Sequence, residues 1–135
     1  MLPITSGLFE RMKAIRFSHA SGDNKKKEKS ETYGTTASTE EFVAVAEDNG
    51  LVCTFTNIQG SFDQDVTPAW KMLSFDRITN KDEQGLKHLH YKESIQVMLY
   101  ICNNARGAAP LYELESWLAA LQTSPIVAET AADKQ

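Results

Sequence analysis

The dipeptide Asn49-Gly50 constrains this chain most, because it lies between two runs of residues that favour β-strands. The runs are residues 42–46 and residues 51–56. Asn-Gly supplies the two positive-φ positions of a type I′ turn, whose twist matches that of paired antiparallel strands. The pattern therefore predicts a β-hairpin over residues 42–58 at the centre of a small antiparallel sheet.

Two apolar patterns in the C-terminal third predict a pair of helices. From about Leu86, apolar residues recur at helical spacing, and they are Tyr91, Ile95, Met98, Leu99 and Cys102. Pro110 then marks the start of a second helix, with the stripe Leu111, Leu114, Trp117, Leu118 and Leu121. The short connection predicts an antiparallel pair, which packs on one face of the sheet. The expected fold class is α+β.

The other segments give less definite patterns. A short amphipathic helix is predicted from Ser6, although residues 15–19 also alternate as a strand would. Residues 21–39 are almost entirely polar and predict a long loop. Residues 67–78 fit either a short helix after Thr67-Pro68 or a strand. Residues 1–124 are expected to form a single domain, followed by a flexible tail at residues 125–135.

Charge and cysteine content narrow the class of protein. The net charge of −4 over 135 residues gives no general attraction to nucleic acid or anionic lipid. Cys53 and Cys102 each lie in an apolar run without a nearby ligand partner, which predicts two free, buried thiols. No apolar run approaches the ~20 residues that span a bilayer. We therefore expect a cytoplasmic protein with no membrane partner. The N-terminal cations Arg11, Lys13 and Arg16 leave an organellar transit peptide as the alternative, which Glu10 argues against.

No motif for catalysis, a cofactor or a metal is recognisable. His88 and His90 form a His-x-His pair, but the surrounding pattern is helical and no third ligand follows closely. The serines lie in no nucleophile elbow, and the glycines form no phosphate-binding loop. We predict no catalytic residue, cofactor or metal ligand, and an enzyme is the less expected class.

The favoured hypothesis is a non-enzymatic protein-binding or adaptor module, with a homodimer as one form of it. It would act through the helix pair or through an unpaired edge of the sheet. Large side chains that suit an interface are Trp117, Tyr100, Trp70 and Leu114.

Two other hypotheses remain open. The first is a nucleic-acid-associated regulator that uses the lysines of the polar loop, which are Lys25, Lys26, Lys27 and Lys29. Glu113 and Glu115 argue against it, because they would repel DNA from the second C-terminal helix. The second is an enzyme or metal protein whose site is assembled from residues distant in sequence.

Overall fold

The computed structural model of the chain describes residues 6–29 and 32–125. The helices of this part are α1 (Ser6–Lys29), α2 (Thr39–Asp48), α3 (Tyr100–Arg106) and α4 (Leu111–Gln122). The strands are β1 (Thr32–Tyr33), β2 (Leu73–Arg77), β3 (Lys87–His88) and β4 (Ile95–Leu99). Two 3₁₀ turns, at Ala69–Lys71 and Lys92–Ser94, precede β2 and β4.

Strands β2 and β4 form an antiparallel pair at the centre of the described fold, and β1 pairs with β3 in parallel. Successive residues of a strand face opposite sides of the sheet. On one side, the ring of Phe75 lies 4.8 Å from that of Phe42 in α2. On the other side, the Ser74 hydroxyl accepts a hydrogen bond from Asn103 of α3. The β2–β4 pair therefore lies between α2 and the C-terminal helices, as the expected α+β class requires.

The hairpin predicted over residues 42–58 is absent, because its first run lies in α2. Ser38 and Glu41 form a capping box, in which each side chain binds the other residue's backbone N–H at 3.1 and 3.0 Å. At the other end, Gly50 N donates to Glu47 O and Leu51 N to Ala46 O. These two bonds define a Schellman motif, so Gly50, with φ of 62°, ends a helix instead of turning a hairpin.

The long helix predicted from Leu86 is also wrong over most of its length. Residues 95–99 form β4, which is buried on both faces, and only Tyr100–Arg106 is helical. A continuous apolar run fits a doubly buried strand as well as a helix, so periodicity could not separate the two. The second predicted helix is confirmed as α4, and Pro110 is its N-cap.

The polar loop predicted at residues 21–39 is shorter than expected, because α1 continues to Lys29. Lysine and glutamate are good helix formers. Asp23 is fully buried on this helix, which holds its last turns against the fold. The strand alternative for residues 15–19 is therefore wrong. Residues 126–135 of the predicted tail lie outside the described residues.

Residues 67–78 combine both alternatives, with the 3₁₀ turn Ala69–Lys71 followed by β2. Cys53 and Cys102 are free and buried, as predicted. None of the helices in the described ranges is long and apolar enough to cross a membrane.

A buried ion pair joins α3 to β2. The guanidinium of Arg106 binds the carboxylate of Asp76, and both side chains are nearly inaccessible to solvent. Arg106 also donates to three carbonyl oxygens, those of Arg77 at 2.6 Å, Ile78 at 3.0 Å and Ala109 at 2.7 Å. One side chain therefore fixes the end of β2, the segment after it and the turn that leads to α4.

We expect Arg106→Met to lower the free energy of unfolding by about 3–5 kcal/mol, because it leaves the Asp76 carboxylate buried without its partner. Urea denaturation at neutral pH measures this change. The control is Lys13→Met, which removes an exposed ion pair with Glu10 and should cost about 0–1 kcal/mol. A loss in Arg106→Met no larger than that of the control would show that the buried pair does not hold α3 in place.

Candidate functional site

A cavity of about 680 Å³ lies where α1, β2 and the start of α3 meet. We call it the edge groove. Residues 72–75 form one wall, and Tyr100 and Asn103 of α3 form another. The third wall is a single face of α1, whose lining residues are Arg11, Ala14, Ile15, Ser18 and His19.

The alternation of hydrogen bonds along β2 shows which of its residues direct their N–H and C=O groups towards β4 and which direct them away from it. At the two ends of the ladder with β4, Tyr100 N donates to Met72 O and Ile78 N donates to Ser94 O, both at 2.8 Å. Residues that bond across an antiparallel ladder alternate along each strand. The even-numbered residues of β2 therefore bond to β4, and its odd-numbered residues point to the opposite edge. Ser61 pairs with the start of that edge and leaves its second half open.

The open half of the β2 edge presents donors. The Phe75 carbonyl accepts a hydrogen bond from Asn103 Nδ2 at 3.2 Å, and the Arg77 carbonyl accepts one from Arg106. The N–H groups of Phe75 and Arg77 have no acceptor within residues 6–29 and 32–125. The acceptors of this edge are occupied by α3, while its donors remain available.

Arg11 is the one charged residue among those that line the edge groove. Its Nε atom is buried, and no residue in the described ranges accepts a hydrogen bond from it. A guanidinium has only donors, and a buried donor without an acceptor costs about 1–3 kcal/mol. Arg11 is therefore a strong hydrogen-bond donor that the described chain leaves without a partner.

At the inner end of the α1 face, the His19 ring contacts a buried network. Its ring centroid lies 4.0 Å from that of His90. The Asp23 carboxylate accepts hydrogen bonds from the backbone N–H of His90 at 3.0 Å and from the Thr36 hydroxyl at 2.7 Å. The other Asp23 oxygen lies 2.9 Å from Nδ1 of His90. Asp23 thus connects α1 to the segments before α2 and after β3.

This environment lowers the pKa values of two groups, which leaves His19 neutral and Asp23 negatively charged. Burial, together with the electrostatic interaction with His90, lowers the pKa of His19 to about 4, so the His19 imidazole is neutral at physiological pH. Burial alone would raise the pKa of Asp23. The hydrogen bonds from His90 and Thr36 outweigh that effect and hold the Asp23 pKa at about 2.

His88 and His90 do not face a common site. The His88 ring lies against two phenols, with Nε2 at 2.6 Å from the Tyr33 hydroxyl and Nδ1 at 3.1 Å from the Tyr91 hydroxyl. His90 binds Asp23 instead. The part of the chain that the structure describes contains no group of three His, Cys, Asp or Glu side chains that could hold a metal ion.

A second cavity, of about 750 Å³, continues along α1 beyond Arg11. It shares Arg11, Ala14 and Gln64 with the edge groove. Unlike the edge groove, it is lined by carboxylates, which are Glu10, Asp63 and Asp65. Arg11 therefore separates a groove without acidic residues from an acidic cavity.

The four predicted interface residues do not form one patch. Tyr100 is 54% exposed and lines the edge groove, and Trp70 is 52% exposed and follows Ala69, which lines the same groove. Trp117 is 43% exposed on α4 and lines none of the cavities described here. Leu114 is only 2% exposed, because α4 turns it into the core, so its prediction as an interface residue is corrected.

The lysines predicted to lie on a loop belong to the last two turns of α1, and they are Lys25, Lys26, Lys27 and Lys29. Lys25 and Lys27 are exposed, whereas Lys26 is partly buried. Burial and the positive charge of Arg77 lower the pKa of Lys26, and Lys87 adds to the effect. Lys26 thus interacts electrostatically with two further cations.

The chain matches no protein-family model, no curated protein and no solved structure. No family is assigned on this basis.

Sequence reasoning placed Tyr100 and Trp70 among the candidates but missed Arg11, His19 and Asp23 as members of a site. One signal was available. Arg11, Ile15, His19 and Asp23 recur every four residues, which places them on one side of a helix. The significance of that side depends on the β2 edge opposite it, which the sequence pattern did not predict.

We expect the pKa of His19 to make the protein less stable as the pH falls from 6.5 to 4. The unfolded chain takes up this proton near pH 6.5, whereas the folded chain takes it up only near pH 4. The stabilisation is therefore complete above pH 6.5 and is lost as the pH falls towards 4, by roughly 3 kcal/mol in total. The contribution of Asp23 is lost at lower pH, between about 4 and 2.

Urea denaturation of the wild type and of His19→Gln across this range measures the effect. The glutamine cannot take up the proton, so its free energy of unfolding should depend less steeply on pH. NMR titration of the three histidines provides the direct readout of which ring stays neutral. Equal slopes for the two proteins would contradict a lowered His19 pKa.

Proposed function

We propose that the protein is a non-enzymatic binding module that holds an extended segment of a partner protein in the edge groove. The observation that carries the proposal is the open half of the β2 edge, where the N–H groups of Phe75, which lines the groove, and of Arg77, which lies two residues beyond it, lack acceptors in the described chain. An unpaired strand edge accepts a further strand through main-chain hydrogen bonds, and side-chain pockets beside it select the sequence.

The dimensions of the edge groove support this proposal. Its volume of about 680 Å³ is within the range of sites that enclose a drug-sized ligand, which is comparable in size to a few residues of extended chain. Across from β2, Ala14 and Ser18 are short side chains that leave room for such a segment. A longer side chain at Ala14 would fill the space.

Two aromatic residues beside the groove support binding of a protein partner. Tyr100 and Trp70 are both about half exposed, although large apolar side chains are usually buried. Tyrosine and tryptophan are enriched among the residues that contribute most to protein interfaces. They would contact the partner's side chains, while β2 binds its backbone.

A screen of random peptides displayed on phage tests the proposal, with the affinities of recovered peptides measured by fluorescence anisotropy. We expect Ala14→Trp to abolish binding by filling the groove. Tyr100→Ala should weaken binding about tenfold or more, because it removes a wall of the groove. Tyr112→Ala is the matched control, since Tyr112 is 65% exposed on α4 and does not line the groove.

Two outcomes would contradict the proposal. The first is that no peptide binds the wild type above background. The second is that bound peptides respond to Tyr112→Ala but not to the groove variants. A second copy of this chain is the alternative occupant, and light scattering distinguishes it, because Ala14→Trp would then convert a dimer into a monomer.

The free thiols of Cys53 and Cys102 support a reducing compartment, and we propose the cytoplasm.

The second candidate function is binding of nucleic acid at the end of α1. It is supported by one observation, the position of Lys25, Lys26 and Lys27 on the last two turns of α1, where burial and the positive charges of Arg77 and Lys87 lower the pKa of Lys26. Exposed Lys25 and Lys27 on the same turns would add phosphate contacts.

Anisotropy of a fluorescein-labelled DNA duplex at several salt concentrations tests this second candidate. If it is correct, the double variant Lys25→Ala/Lys27→Ala should weaken binding. The slope of log K against log salt, which is negative, should become less steep by about two. Lys92→Ala serves as the control, because Lys92 is an exposed lysine of the 3₁₀ turn before β4. Absence of binding at low salt, or equal slopes for all variants, would exclude it.

A further inference from the structure

We propose that the edge groove selects a partner segment that carries an acidic side chain, and that its carboxylate binds the guanidinium of Arg11. This inference rests on the proposed function, because it specifies which extended segment the groove accepts. It is carried by a separate observation, that the buried Nε atom of Arg11 has no hydrogen-bond acceptor in the described chain.

Arg11 is in an unfavourable state without such a ligand. Its Nε atom is buried, yet no acceptor within the described ranges reaches it. Native proteins leave few buried polar groups without a hydrogen bond, and each exception calls for an explanation. A carboxylate in the groove would bind the guanidinium and neutralise a charge that no ion pair in the described chain neutralises.

The carboxylates close to Arg11 in sequence or in space do not fill this role. Glu10 forms its ion pair with Lys13, with the two side-chain atoms 3.5 Å apart. The Asp63 carboxylate accepts a hydrogen bond from the backbone N–H of Asp65. Neither of these two residues, nor Asp65, makes an ion pair with Arg11 in the described part of the chain.

The polar groups on the edge-groove side of Arg11 favour an acceptor. The Phe75 N–H beside the groove is a donor without a partner in the described chain. No Asp or Glu is among the residues that line the groove. An entering carboxylate would therefore meet donors and no like charge.

The acidic cavity on the other side of Arg11 fixes where the carboxylate lies. Glu10, Asp63 and Asp65 line that cavity and would repel a second negative charge. The carboxylate is thus directed to the side that adjoins β2. Arginine suits this position better than lysine, because its planar guanidinium binds both oxygens of a carboxylate at once.

Peptides recovered in the display screen provide the probe. We expect an Asp or Glu at one fixed position, and substitution of that residue by its amide should weaken binding to the wild type roughly tenfold to a hundredfold. In Arg11→Gln the acidic peptide and its amide should bind equally. The control is Lys13→Gln, which removes a positive charge from the exposed side of α1 and should keep the acidic preference.

A stability measurement separates this role from a structural one. Because the buried Nε of Arg11 has no hydrogen-bond partner in the described chain, Arg11→Met should leave the urea midpoint unchanged or raise it. A clear fall in the midpoint would overturn the proposal by showing that Arg11 holds the fold.

The remaining outcomes distinguish this inference from the proposed function. Peptides that bind the groove, are lost in Ala14→Trp and show no acidic preference would overturn the role of Arg11 and leave the binding module intact. Failure of every peptide to bind would overturn both. A small carboxylate that is not part of a peptide segment is the other possible source of this carboxylate. If N-acetylglutamate amide displaces a bound acidic peptide as effectively as the unlabelled peptide does, the site binds small carboxylates. That result would overturn selection of a peptide segment.

Discussion

The buried pair of Asp76 and Arg106 is the contact on which the edge groove depends. It fixes α3 to β2, and the same guanidinium binds the Arg77 carbonyl at the strand edge. One turn earlier on α3, Asn103 binds the Phe75 carbonyl in the same way. Helix α3 therefore occupies the acceptors of the edge, while the N–H groups remain. Any ligand at this edge has to supply acceptors, so the contact that stabilises the fold also sets the chemistry of the groove.

The opposite wall of the groove depends on a second buried charge. Asp23 binds Thr36 and His90, which lie on segments far apart in sequence, and this holds the end of α1 against both. His19 lies one helical turn before Asp23 and its ring packs against that of His90, so the α1 face from Arg11 to His19 is held beside β2. Neutral His19 adds no charge there, which leaves Arg11 as the charge that an entering ligand meets.

The fold class and α4 could be predicted from the sequence, because a stripe of leucines and Trp117 fits only a helix of that length. The hairpin could not, although the signal that contradicts it was present. Ser38 and Glu41 have the spacing of a capping box, and Gly50 is where a helix of ordinary length would end. Asn-Gly serves equally as a hairpin turn and as a helix stop, so the residues before it decide between the two. For β4 no local signal decides, since an apolar run buried on both faces satisfies either period.

The candidate site was less predictable than the fold, and the reason is physical. Large aromatic residues such as Tyr100 and Trp70 can be named as interface candidates by type alone. Arg11 and Phe75 matter because each has a donor that lacks an acceptor. Whether an acceptor is present depends on residues that are distant in the chain. A helical spacing can place Arg11 and His19 on one face, but it cannot show whether a carboxylate lies opposite. Binding sites built on unsatisfied donors therefore become visible only after the hydrogen bonds of the whole fold have been assigned.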